Sequence, residues 1–171
     1  MTTKFTIDGK KVSLLGYGAM RLPALSDGKS AEPSARNSGN IDQKKFNEHV
    51  KYMLDHGINY FDTSPAYCKG KSEASLGIAL KASGYSRDSY VIATKMSNFA
   101  PSQYPLEVCK KMFYDSLKNL QTDYIDNYLL HYIGKGGFKT FLKRYIDNGA
   151  LEWCIELRKK GLIRNLGFSF H

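Results

Sequence analysis

The stretch "NYFDTSPAYCKGKSEASLG", Asn59 to Gly77, begins as one thing and continues as another. It follows Gly57 and Ile58, opens on Tyr60 and Phe61, and so starts like a buried strand. Asp62 then stands at the strand end and Tyr67 in the loop beyond. A carboxylate and a phenol where an apolar strand stops serve solvent, a turn or chemistry. Asp62-Thr63-Ser64 reads equally well as an Asx-type turn, and Tyr67 is one of 12 tyrosines, most of which must be packing residues. What surrounds the stretch decides between these readings.

On its N-terminal side a helix begins at Asp42, which caps it. Phe46, Val50, Met53 and Leu54 fall on one face, and Gly57 stops it. On its C-terminal side a helix runs from about Ser72 to Gly84, and "SYVIATKM" is a β-branched strand. Leu106, Cys109, Met112, Phe113, Ser116, Leu117 and Leu120 form a second helical stripe, and "YIDNYLLHY" is the next strand. "LEWCIELRKKG" is a helix with Leu151, Cys154 and Ile155 inward, and "IRNLGFSF" is the last strand. Near the start, the Asp8-Gly9 turn in "KFTIDGKKV" predicts a β-hairpin, and "VSLLGYGAM" a buried strand ending in glycines. Residues 24–40, rich in Ser, Gly and Asn, read as a long flexible loop, either a functional lid or a disordered segment.

Strand and helix in alternation predict βα units on a parallel sheet, with residues 1–171 as a single domain. An open doubly wound sheet would carry G-x-G-x-x-G after its first strand. Gly16-Tyr17-Gly18-Ala19-Met20-Arg21 lacks the third glycine. The alternative is a (β/α)₈ barrel, whose strands all end on one mouth. Asp62, Lys95, His131 and Ser169 close four successive strands. Any one of them alone reads as a solvated or structural residue, but four in succession point to a shared site.

Bulk properties narrow the class. The chain has 171 residues, 42% of them apolar, which excludes wholesale disorder. The net charge of +9 favours anionic partners. Yet the basic groups Lys10-Lys11, Lys110-Lys111 and Arg158-Lys159-Lys160 are short and dispersed, and read as solvated faces. With no zinc finger, arginine-rich arm or RNA-binding sheet signature, nucleic acid is not an expected partner. No apolar run is long enough for a membrane span, and the N-terminus lacks the apolar segment of a secretory signal. Cys68, Cys109 and Cys154 read as reduced thiols, and the expected compartment is the cytoplasm.

The residue types at the mouth suggest a reaction. A phenol has an ordinary pKa of about 10, and a neighbouring ammonium favours its ionised form. Lys95 is the available cation, and Asp62 the carboxylate that would hold it. His131 would orient a polar substrate by hydrogen bonding or carry the proton itself. Such a set suits protonation of a carbonyl oxygen while hydride reaches its carbon. A reduced cofactor must bring that hydride.

At this point the letters resemble a known family. "GINYFDTSPAYCKGKSEASLG" is similar to the aldo-keto reductase signature G-(I/V)-x-x-(F/I)-D-T-(A/S)-x-x-Y-x-x-x-x-E-x-x-(L/I)-G, with one spacing variation in the loop. "LLGYGAMRLP", "SLKNLQTDYIDNYLLH" and "LRKKGLIRNLGFSF" agree with the family in order and spacing. "MRLP" and "GFSFH" look most like the branch whose longer members carry a C-terminal iron–sulfur segment. The resemblance implies a (β/α)₈ barrel and reduction of a small-molecule aldehyde or ketone with NADP(H), or NAD(H). It implies Tyr67 as proton donor, Lys95 and Asp62 as the pair that tunes it, and His131 as the residue that orients the carbonyl. It also implies Gly18, Ala19 and Met20 beside the nicotinamide ribose and Ser169 on the carboxamide, with Phe170 where the family has Asn.

A full barrel takes roughly 250 residues. The expectation is therefore an incomplete barrel: the hairpin plus about five βα strands, without the later loops that hold the adenosine phosphates. The iron–sulfur cluster would belong only to a longer product. Such an arc has unpaired outer strands and an apolar inner face left uncovered. It is expected to self-associate through the open edge, to fill the gap with its own hairpin or a partner, or to be a truncated and inactive version of a longer chain, and to bind cofactor weakly or not at all by itself.

Overall fold

The computed structural model describes residues 3–5, 9–26, 34–134 and 136–170. A hairpin comes first: β1 (Thr3–Phe5) runs antiparallel to β2 (Lys11–Ser13), with Thr3 opposite Ser13 and Phe5 opposite Lys11. Asp8 of the expected turn lies outside the described residues. Gly9 sits at φ +81, a conformation that glycine tolerates without penalty.

The sheet that follows is parallel throughout. Its strands are β3 (Tyr17–Gly18), β4 (Tyr60–Asp62), β5 (Val91–Met96), β6 (Ile125–Ile133) and β7 (Ile163–Phe170), in that spatial order. A doubly wound sheet reverses its strand order at a switch point. Here spatial order equals chain order, so each crossover moves one strand in the same direction. That is the winding of a barrel wall, and the described residues make about five-eighths of one. β5 is central, and all six of its residues are buried, as the β-branched run "VIATKM" requires.

The helices lie along the outside: α1 (Gln43–Asp55), α2 (Ser72–Ala82), α3 (Leu106–Leu120), the short α4 (Gly137–Phe141) and α5 (Ala150–Lys159). The Asp42 carboxylate accepts from the Lys45 amide at 3.0 Å and caps α1, while Phe46, Val50 and Leu54 are buried. α2 comes so close to α3 that a Cβ at Gly77 would fall 2.9 Å from the Leu120 backbone, so glycine permits the approach. Outward-facing Tyr128 packs its ring edge-on against Phe113, which meets Trp153 of α5 in the same manner. All three cysteines are buried and free, and burial pushes the Cys154 thiol up to about 12.

Several expectations need correction. "VSLLGYGAM" is two short strands, and Leu14 and Leu15 between them are more than half exposed. The chain turns there because Ser13 is tied to Asn59 through its amide at 2.8 Å and to the Leu15 carbonyl through its hydroxyl at 2.7 Å. The inner face of the arc is not simply apolar. Asn127 donates to the Tyr60 hydroxyl at 3.1 Å, and Asn165 donates to the Asn127 side chain at 3.1 Å, a polar ladder across three strands. Lys10 is only partly exposed. Its ammonium donates to the Tyr90 carbonyl at 2.7 Å and meets Asp126 at 3.2 Å. Lys110, Lys111 and Lys159 do lie on the surface, each beside a carboxylate three or four residues away.

Of the expected loop, residues 24–26 and 34–40 are described. Pro23 bridges Ser34 and Ala24 bridges Ile41, and Ala35 is fully buried with its amide on the Leu22 carbonyl at 2.8 Å. Residues 27–33 lie outside the described residues.

Candidate active site

The parallel register places the ends of β4, β5 and β6 side by side. Asp62 pairs with Ala93, two residues before Lys95, and Lys95 pairs with Leu129, two residues before His131. Since side chains alternate along a strand, Asp62, Lys95 and His131 project to the same inner face. The Lys95 ammonium lies 2.6 and 2.8 Å from the two Asp62 carboxylate oxygens and 2.8 Å from the Thr63 carbonyl. Three donors meet three acceptors, which makes a cation only 4% exposed tolerable.

Tyr67 reaches the same place from the loop after β4. The Lys95 ammonium stands 4.8 Å from its ring centre, over the electron-rich face. The His131 ring meets it edge-on, with centroids 6.1 Å apart. Tyr67 is half-buried, so its ring lies at the rim of the mouth. The family pattern has four residues between the tyrosine and the glutamate, and this chain has five. A left-handed turn follows the tyrosine, with Cys68 at φ 49, Lys69 at φ 53 and Gly70 at φ 86. Two non-glycine residues there store backbone strain. Burial of Cys68 beneath the loop after β3, with its thiol near the Met20 carbonyl at 3.6 Å, holds them in place. Residues 34–40 lean on the same turn, since a Cβ at Gly39 would come within 2.9 Å of the Cys68 carbonyl oxygen.

Further residues surround the mouth that the sequence did not single out. Nδ1 of His131 is 2.8 Å from the Ser97 hydroxyl, which is 2.9 Å from the Ser64 hydroxyl. The Phe99 ring meets His131 at 5.0 Å. Arg144, 2% exposed, donates to the Asn98 side chain at 3.1 and 3.3 Å, to the Tyr132 carbonyl at 3.2 Å and to the His131 carbonyl. It thereby ties the segment after β5 to the end of β6. Ser64 lies inside the quoted stretch, and Ser97 and Asn98 come directly after a strand end, so position was a usable signal for them. Arg144 lies in a stretch whose Phe138, Phe141, Leu142 and Tyr145 recur at helical spacing, a signal for a helix but not for what the arginine binds. Behind the mouth, Glu73 is fully buried and accepts from the Thr94 hydroxyl at 2.6 Å. Burial raises its carboxyl above the ordinary value of 4.5.

Of the four residues expected near a nicotinamide, Gly18 and Ser169 lie on the two outermost strands, and Ala19 and Met20 in the turn directly after β3. Gly18 is exposed, and a Cβ there would meet nothing within 4 Å. Ala19 is in the core, its amide on the Asp62 carbonyl at 2.7 Å and its carbonyl accepting from Ser72 at 2.8 Å. Met20 is half-buried beside it. The Ser169 hydroxyl is buried with no hydrogen-bond partner, and Phe170 after it is 71% exposed.

Residues 14–171 match the model of the aldo/keto reductase family. The chain belongs to the aldo/keto reductase family. It is 33% identical to an L-galactose dehydrogenase of Arabidopsis thaliana over 162 residues, 94% of this chain and 46% of that protein. It is 35% identical to a glyoxal reductase of Bacillus subtilis over 122 residues, 71% of this chain and 39% of that protein. Among solved structures, the holo form of an aldo-keto reductase from Bacillus halodurans superposes with a TM-score of 0.72 at 31% identity, over 99% of this chain and 50% of that one. An aldo-keto reductase from Klebsiella pneumoniae in complex with NADPH gives 0.68 at 25% identity, over 100% and 51%. The chain spans about half the length of the relatives it matches or less. Both superpositions support the incomplete (β/α)₈ barrel of aldo-keto reductase type. No helix among the described residues is long and apolar enough to cross a membrane.

Proposed function

We propose that the mouth formed by β4, β5 and β6 reduces an aldehyde or ketone to an alcohol, with Tyr67 as proton donor. The observation that carries this reading is the grouping of a clamped ammonium, a phenol ring and an imidazole around one hollow: Lys95 lies 4.8 Å from the Tyr67 ring centre and the His131 ring 6.1 Å from it. When bound, a reduced nicotinamide cofactor supplies the hydride.

The residues present fit that cofactor. Ser169 offers a buried hydroxyl without a partner, which a carboxamide would satisfy. Gly18 borders open space, with nothing within 4 Å of where a Cβ would stand. Ala19 and Met20 would contribute the shape of the wall beside the ribose. NADP(H) is the preferred form, since the Klebsiella pneumoniae relative was solved with NADPH.

Each residue then has a task. His131 donates a hydrogen bond to the carbonyl oxygen and sets its direction. As hydride reaches the carbonyl carbon, the oxygen gains negative charge and takes the proton of the Tyr67 phenol. The Lys95 ammonium, fixed by Asp62, stabilises the charge left on the phenol oxygen. Substrates are small dicarbonyls or sugars, by analogy with the glyoxal reductase and L-galactose dehydrogenase relatives. The test is incubation with NADPH deuterated at the transferred position and methylglyoxal. Deuterium in the product alcohol supports the reading, and its absence at any protein concentration contradicts it.

A second reading rests on a different observation. Phe168 and Phe170 of β7 are 60% and 71% exposed, and Leu14 and Leu15 beside the opposite edge 55% and 59%. Apolar side chains flanking free strand edges favour association of this chain with a second copy.

A further inference from the structure

We propose that Ser97, with Ser64 behind it, is a positioning residue that holds His131 in the tautomer with its proton on Nε2. The inference rests on the carbonyl-reductase reading only for what that proton is used for.

The argument is a count of protons. Ser64 is fully buried and Ser97 is 4% exposed, so neither hydroxyl can count on water. The Ser64 oxygen already accepts from the Ala66 amide at 3.1 Å, an obligatory donor. The remaining contacts are Ser64 to Ser97 at 2.9 Å, Ser97 to Nδ1 of His131 at 2.8 Å, and a longer Ser64 to Nδ1 contact at 3.5 Å.

Suppose Nδ1 carried the proton. It would donate to Ser97, and one of the two hydroxyl protons would then have no acceptor among these contacts. With Nδ1 bare, both protons are used. The Ala66 amide donates to Ser64, Ser64 donates to Ser97, and Ser97 donates to Nδ1. At one end the Ser64 proton has Ser97 as its near acceptor, which gives the chain its direction, and the ring at the other end accepts. The neutral ring then has its hydrogen on Nε2, where it serves as a donor to a carbonyl oxygen. Proton delivery is left to Tyr67. The edge-on contacts of the ring with Tyr67 and Phe99 restrict its rotation, so it cannot turn to exchange its two nitrogens without displacing them.

The experiment is nitrogen NMR of the protein labelled with ¹⁵N-histidine at neutral pH, with the His131 signals assigned by a His131→Gln variant. The expected result is a pyridine-type Nδ1 and a pyrrole-type Nε2. Ser97→Ala shifts both toward the average of mixed tautomers, and Ser97→Thr, which keeps a hydroxyl, restores the pattern. Ser64→Ala leaves the Ser97 hydroxyl only Nδ1 to donate to and keeps the pattern, with the folding of each variant judged by circular dichroism. A pyrrole-type Nδ1 in the wild type, or a pattern that Ser97→Ala leaves unchanged, overturns the proposal. Because the readout needs no turnover, a protein that shows the pattern yet transfers no deuterium contradicts the reaction and not the relay.

Discussion

Lys95 and Asp62 close on each other across neighbouring strands, with the ammonium 2.6 and 2.8 Å from the two carboxylate oxygens, and the face of Tyr67 lies directly beside them. The pair has two roles that mutation separates. Asp62→Asn leaves a buried ammonium without its counter-charge. It is expected to destabilise the fold by about 2–3 kcal/mol, the low end for a broken buried pair because Asp62 keeps a third of its side chain exposed. Adding Lys95→Met removes the stranded charge and is expected to recover most of that loss, while any carbonyl reduction is expected to be absent from both variants. Urea melts of the single and double variants check this. A double variant as unstable as Asp62→Asn contradicts it.

Glu73 gives a pH signature. Burial raises its carboxyl, opposed in part by the Thr94 hydroxyl, so the folded state binds its proton more tightly than the unfolded state does. The stability it contributes is full below the ordinary value of 4.5 and is lost as pH rises through the raised native value. Glu73→Gln removes this dependence. The variant is expected to gain most over the wild type at neutral pH, and the gap to shrink as pH falls toward 4.5. Urea melts at several pH values measure it, and a constant gap would be the wrong outcome.

Asp126 works at the opposite end of the barrel. It is 2% exposed, accepts from Arg87 at 2.6 Å and the Ile92 amide at 2.9 Å, and meets Lys10 of the hairpin segment at 3.2 Å. It stands five positions before His131, roughly 16 Å along a strand. Asp126→Asn is expected to cost about 3 kcal/mol of stability while leaving any turnover per folded molecule unchanged. Thermal melts and active-site-normalised rates decide it.

The free edge makes its own prediction. Phe168→Ser with Phe170→Ser removes the two most exposed aromatic side chains of β7. Sedimentation of the wild type is expected to depend on concentration, and that dependence is expected to weaken in the double variant. Equal profiles would remove β7 from the association surface.

The sequence revealed most where one element carries its own pattern. Periodicity placed Phe46, Val50 and Leu54 on one helix face, and the alternation of strands and helices implied the parallel arc. Strand ends alone brought Asp62, Lys95 and His131 to one mouth. What stayed hidden depends on contacts between distant segments. Lys10 looked like a surface residue because Asp126 is 116 positions away. Arg144 reaches back 46 positions to Asn98 from a wide helical turn, Leu142–Ile146, whose own apolar spacing says nothing of so distant a partner. The Asn127–Tyr60 bond joins two strands that are not neighbours in the sheet, so neither strand's own pattern reveals it. "VSLLGYGAM" misled because its apolar letters suit a strand, while the hydrogen bonds of Ser13 end the hairpin in the middle of it.

Tyr67→Phe, compared with the wild type in an NADPH-dependent reduction of methylglyoxal, tests the central claim most directly. The ring and its contact with Lys95 remain and only the phenolic proton is lost, so kcat is expected to fall by about 10²–10⁴-fold with an unchanged melting temperature. A Tyr67→Phe protein that turns over as fast as the wild type would contradict the account.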